Sequence, residues 1–311
     1  MPFAVGGNSR IRTNISAENA YNSLETSNRD ISLRQLRLST GKRINSASDD
    51  VAGYITSRAL HARNSALQAA LLTVGDGFNI TNITMDSLDN IYNLLNNIKS
   101  AASQAASGAM GTDEKVALAK AAYRMVQQIQ TVVDSTVFGG RQLLDGTFSA
   151  DFFVATNAQH SLLTIEIDMT TGNPDFNVTS RNFDVNSLKT DQFAGVTNFD
   201  MELFNEVSEN DLGIFGLDQI SYTLKSLSEA IDNVNKTATY LGGIANRLTS
   251  QEDLLKAQIT NYNSAISRIE DADVAKEQLQ LVKSQFLQQA SLSSLAQANA
   301  NPQHFLNLIT Q

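Results

Sequence analysis

From Ile220 to Ile269 an apolar residue returns every three and then four positions, without a slip, over about fifty residues. One row is Ile220, Leu227, Val234, Leu241, Leu248, Leu255, Tyr262 and Ile269. The other is Leu224, Ile231, Ala238, Ala245, Glu252, Ile259 and Ile266, in which Glu252 alone is not apolar. A heptad repeat held this long predicts a helix packed lengthwise on other helices, because a 3.5-residue period keeps one stripe against its partner. At 1.5 Å per residue the helix would be a rod on the order of 75 Å long. Gly242 and Gly243 weaken it by about 2 kcal/mol relative to alanine, but the heptad phase is the same on both sides of them, which favours one helix over two. A rod of this kind is not stable alone, so its partners must be other helices of the chain or neighbouring copies.

The same spacing marks other helices. Ala17, Leu24, Ile31 and Leu38 lie seven apart and predict a first helix that Gly41 ends. In RINSASDDVAG, from Arg43 to Gly53, the Ser and Asp residues are turn and cap types, so a second helix is expected to begin near Asp49 or Asp50. It runs through Ile55, Leu60, Leu67 and Leu71, past Gly75 and Gly77, and on through Ile83, Leu88, Ile91, Leu95, Ile98 and Ala102 to about Ser107. Thr112 or Asp113 is expected to cap a third helix through Val116, Ala119, Tyr123, Val126, Ile129, Val133 and Val137, which Gly139-Gly140 ends. Asp145-Gly146 is a turn signal, and Phe152 to Ala155 with Leu162 to Asp168 reads as a β-hairpin. From Thr170 to Gly216 the chain is loop-rich, with scattered Phe. After the rod, RIEDAD (Arg268 to Asp273) is a charged joint; a last helix carries Ala275, Leu279, Val282, Phe286, Ala290, Leu295 and Ala298, and Pro302 is expected to halt it. The fold class is therefore mainly α, a long antiparallel coiled-coil-like bundle with a small β-hairpin and a short acidic insertion. Both ends are amphipathic, and they read as surfaces awaiting a partner or as two helices that pack together in the monomer.

Charge sharpens this picture. Asp151 to Phe215 holds eleven acids against Arg181 and Lys189, which accounts for the whole net charge of −9. An acidic middle on a neutral scaffold suggests a solvated outer surface and argues against nucleic acid as a partner. No apolar run reaches the length of a membrane span, so no membrane insertion is expected, and the start lacks a cleavable signal sequence. With no cysteine, and with His61, His160 and His304 isolated from one another, no zinc site or thiol chemistry is expected. There is no phosphate-binding glycine loop and no nucleophile elbow. Asp49-Asp50 reads as a cap before it reads as a catalytic dyad. No enzyme activity and no cofactor follow from these residues.

Five segments, in this order and at these distances, resemble bacterial flagellin: LSTGKRINSASDDVAG (Leu38 to Gly53), GDGFNI (Gly75 to Ile80), FGGRQLL (Phe138 to Leu144), RIEDAD, and QQASLSSLAQANANPQHFLNL (Gln288 to Leu308). The resemblance implies an inner helix in residues 1–44, rod helices in 45–150, a hairpin and acidic outer insertion in 151–215, the long rod helix in 216–273 and a second inner helix in 274–311. It implies assembly through Leu24, Ile31 and Leu38 with Leu279, Val282, Phe286 and Leu295; a connector of Arg43, Asn45, Asp49, Asp50, Arg268, Glu270 and Asp271; and a rod seam of Leu227, Val234, Leu241, Leu248 and Leu255. The implied partners are further copies of the chain in a homopolymer, the flagellar cap and hook-filament junction proteins, an export chaperone, and the type III export apparatus, through which the chain passes with its ends unfolded. The hook-filament junction protein itself is the nearest rival, although LAQANANPQ favours flagellin; a soluble coiled-coil tether is the alternative of another class.

Overall fold

The computed structural model describes residues 13–144, 148–153, 164–168 and 203–309. Met1 to Arg10, the Asp145-Gly146 turn and most of the acidic middle lie outside the described residues. In chain order the elements are α1 (Ile15–Thr40), α2 (Val51–Ala105), α3 (Thr112–Ser135), β1 (Val137–Phe138), β2 (Arg141–Gln142), β3 (Ser149–Phe153), β4 (Thr164–Asp168), α4 (Leu203–Glu206), a 3-10 turn (Gly213–Phe215), α5 (Ile220–Glu270) and α6 (Val274–Ile309). They form two compact units: residues up to Asn64 with those from Thr260, and Ser65–Ile259.

The second unit is built on antiparallel α2 and α5 with α3. Its core holds Leu88, Ile91, Leu95, Ile98 and Ala102 of α2, Ala119, Ala122, Val126, Ile129 and Val133 of α3, and the seam Leu227, Val234, Leu241, Leu248 and Leu255 of α5, all at most 2% exposed; on α3 Ala122 is buried where Tyr123 was expected, and Val116 and Tyr123 are half-buried. The second row of the α5 repeat is less covered, and Glu252 there pairs with Lys256 one turn on. As expected, α5 passes Gly242 and Gly243 unbroken and α2 passes Gly75 and Gly77. Gly77 does more than permit continuity. A Cβ there would stand 3.3 Å from Leu248 Cδ2 and 3.6 Å from the Phe152 ring, so a bare backbone lets α5 and the hairpin close on α2.

The hairpin pairs β3 with β4 antiparallel, Ser149 opposite Asp168 and Phe153 opposite Thr164. Besides β3, which begins at Ser149 and not at the expected Phe152, three boundaries differ from expectation. Thr112 is the first helical residue of α3 and not its cap; Gly111 precedes it, its N–H donating to Glu114 Oε2 at 3.1 Å. Gly139-Gly140 does not end α3, which already stops at Ser135. The two glycines, at φ 58° and 83°, turn a second small hairpin of β1 and β2, the left-handed pair a two-residue connection needs, and Val137 belongs to that strand. Near the end of the middle region, Phe204 and Phe215 are fully buried edge to face, 5.4 Å between centroids, with α4 packed on α3.

The third difference is at Pro302, which does not halt α6 but lies inside it. Proline has no N–H for the carbonyl four residues back, here Ala298. That carbonyl instead accepts a bond from the Asn14 side chain at 2.8 Å, so the helix continues with the acceptor satisfied.

Candidate assembly site

Two parts of the first unit bear on assembly: the junction where the two connectors, Gly41 to Asp50 and Glu270 to Asp273, meet, and the pair that α1 and α6 form. At the junction, Gly41 takes the left-handed cap of α1 at φ 70°. Lys42 and Asp271 then form an antiparallel bridge, with Arg43 N donating to Glu270 O at 2.6 Å and Ala272 N to Gly41 O at 2.8 Å. The loop after it is held from inside. Asp49 Oδ2 accepts the amides of Ser46 and Asn45, both at 2.9 Å, and these bonds hold its carboxyl below the usual range. Asp50 caps α2 by accepting Gly53 N at 2.9 Å, as its residue type suggested. Arg43 reaches Ile269 O at 2.7 Å and lies 3.7 Å from Asp50, while Ile44 is buried beneath. Gly53 lets these side chains close in: a Cβ would meet Ile44 Cδ1 and Asp50 Oδ2 at 2.6 Å each, so one of them would have to move.

Glu270 is the hub. Its side chain is buried at the end of α5, where Lys42 Nζ pairs with one oxygen and His61 Nε2 lies 2.7 Å from the other. Burial alone would raise this carboxyl, but the bonds from Lys42 and His61 outweigh it and hold the group below its ordinary value. His61, isolated in the sequence, thus meets a carboxylate 209 positions away. One helical step on, Asn64 donates to Asn263 at 2.8 Å. Of the expected connector residues, Arg43, Asn45, Asp49, Asp50, Glu270 and Asp271 are brought together here; Arg268 is exposed and adds no bond to the cluster.

Beyond the junction, α1 packs antiparallel on α6. The inward line of α1 is Ala17, Ala20, Leu24, Ser27, Ile31, Arg34 and Leu38, and that of α6 is Glu277, Leu281, Ser284, Gln288, Ser291, Leu295 and Ala298, both at three-four spacing. This seam is small and polar for its length. Glu277 is buried between Arg34 and Arg37, at 2.8 and 3.4 Å, and Gln288 donates to Asn28 at 2.6 Å. Apart from Leu281 and Leu295, the bulky apolar residues of α6 whose side chains are described face the other way: Leu279, Val282 and Phe286 are 66, 55 and 70% exposed, and Val274, Leu287 and Leu292 are also open. The residues expected to drive assembly therefore divide, with Leu24, Ile31, Leu38 and Leu295 in the seam and Leu279, Val282 and Phe286 outside it.

Two family models match in register with these elements: the bacterial flagellin N-terminal helical region over residues 11–149, and the bacterial flagellin C-terminal helical region over 224–309. The flagellin of Bacillus subtilis is 31% identical, over 96% of this chain and 99% of its own length. The chain belongs to the flagellin family. Flagellin E of Vibrio cholerae is 26% identical over 96% of this chain and 98% of its own. The crystal structure of Bacillus cereus flagellin matches at 18% identity with a TM-score of 0.40, covering 62% of this chain and 93% of that one. As a flagellin the chain is a structural, non-enzymatic subunit of the extracellular flagellar filament, used in motility, and self-assembly is the family's mode of action. Among the described residues no helix is long and apolar enough to cross a membrane, and no group of acidic or histidine side chains is placed to hold a metal ion.

Proposed function

We propose that this flagellin polymerises by covering the outward face of α6, centred on Leu279, Val282 and Phe286, with the terminal helices of neighbouring copies. The observation that carries the reading is the sorting of α6, which buries Glu277, Leu281, Ser284 and Ala298 but leaves Leu279, Val282 and Phe286 more than half exposed. Burying a side chain of that size contributes about 1.5–3 kcal/mol, so a row of them offers each new contact several kcal/mol. Leu24, Ile31, Leu38 and Leu295 hold the pair together so that this face is presented. The junction around Glu270 ties the two connectors together, and the seam from Leu227 to Leu255 serves the fold of the second unit.

The remaining partners follow from the same face. An export chaperone would shield it before assembly, the type III export apparatus would pass the chain with its thinly held ends unfolded, and the flagellar cap and hook-filament junction proteins would meet it at the two ends of the filament. The test is a Val282→Ser, Phe286→Ser double variant. Both sites are exposed in the single chain, so thermal unfolding of the monomer is expected to stay within about 0.5 kcal/mol of the parent, while seeded polymerisation falls to background. Normal filament growth by this variant would refute the proposal.

A further inference from the structure

We infer that Asn14 sets the register of the terminal helix pair, by supplying the one hydrogen-bond donor that Pro302 removes from α6. Asn14 uses both ends of its amide. Its Oδ1 caps α1 by accepting Ala17 N at 3.1 Å, and its Nδ2 donates to Ala298 O at 2.8 Å. Ala298 is only 7% exposed, so solvent is a poor substitute for that donor. Within a regular helix each mid-helix carbonyl is occupied by the N–H four residues on. The proline at 302 frees a single acceptor in the body of α6, and it is this one that the tip of α1 finds.

A seam of small residues at heptad spacing is weakly specified, since a slide of one heptad brings similar residues together. The contacts at fixed points decide the alignment: Arg34 with Glu277 near one end, Asn28 with Gln288 in the middle, and Asn14 with Ala298 at the other. The first two join flexible side chains that can reach alternative partners. The third joins a capping residue to a backbone oxygen that, within the body of α6, Pro302 leaves without its usual donor. Asn14 and Pro302 thus act as a matched pair across 284 positions of sequence to Ala298, and neither has the same value without the other. This inference concerns contacts inside one chain and does not depend on which outer face meets a neighbour.

The experiment is a double-mutant cycle in full-length protein: Asn14→Ser, Pro302→Ala and both together. Serine keeps the α1 cap but cannot reach the Ala298 carbonyl; alanine at 302 restores the backbone donor. The monomer concentration in equilibrium with filaments is measured for each variant. Asn14→Ser alone is expected to raise it about tenfold, the scale of one buried hydrogen bond, and to change it less than about twofold in the Pro302→Ala background. Should Asn14→Ser not polymerise at all, restoration of growth by Pro302→Ala in the same chain supports the pairing, and failure to restore it overturns the inference. An equal loss in both backgrounds also overturns it, because the Asn14 side chain would then act independently of the donor missing at Pro302.

Discussion

Replacing Glu270 with Gln removes a charge while keeping the shape and the backbone carbonyl that accepts Arg43 N. The carboxylate receives two charge-assisted bonds, from Lys42 and His61. Shielded bonds of that type are each worth about 1.5–3 kcal/mol. Lys42 and His61 are 47 and 48% exposed, so solvent screening reduces the combined loss to about 1–2 kcal/mol. A change of that size multiplies local opening by about five- to thirtyfold. The readout is amide exchange of Arg43 and Ala272, whose N–H groups close the bridge between the two connectors. The pH dependence follows in sign from the lowered native value. The Glu270 contribution is complete above the ordinary value of 4.5 and is lost as pH falls through the lower native one. Parent and variant are therefore expected to differ at neutral pH and converge in acid, after correction for the intrinsic exchange rate. A difference that persists unchanged in acid, or none at neutral pH, would refute the electrostatic account of this junction.

Two further substitutions test packing. Gly53→Ala forces a methyl group to within 2.6 Å of Ile44 and Asp50, and is expected to destabilise the junction by about 1–3 kcal/mol, read as a lower melting temperature of filaments; an unchanged melt would show that the loop simply shifts. Leu248→Ala empties a fully buried position beside Gly77 and is expected to cost about 2–5 kcal/mol in urea unfolding of the monomer. Gly77→Ala should be better tolerated in that background than in the parent, and equal effects in both would contradict the close approach seen there.

What the sequence disclosed depended on how local the determining interactions are. The α5 seam was legible because a heptad repeat is a statement about one helix and its buried stripe, and Leu227 to Leu255 are buried as a set. The Gly41 and Asp50 caps were legible for the same reason, each acting within a few residues. Gly139-Gly140 carried two compatible meanings, helix end and hairpin turn, and the β-branched Thr136-Val137 pair before it was the signal that favoured the second. Pro302 was misread because its remedy, Asn14, comes from the opposite end of the chain. His61 looked solitary for a like reason, and so did the direction in which α6 turns. Period alone places Leu279, Val282 and Phe286 on one side of that helix, but it does not say which side α1 covers. Glu277 was the available clue, since an acid in register with Arg34 and Arg37 marks the covered side.

The leanness of the α1 and α6 seam has a consequence for how such a molecule is held. Serine, alanine and glutamine alternate here with Leu24, Ile31, Leu38, Leu281 and Leu295, so the two helices of this clasp bury less apolar surface per turn than a seam of leucines would. If neighbouring copies add cover to such a clasp, as proposed, its grip would be set by company rather than by its own seam.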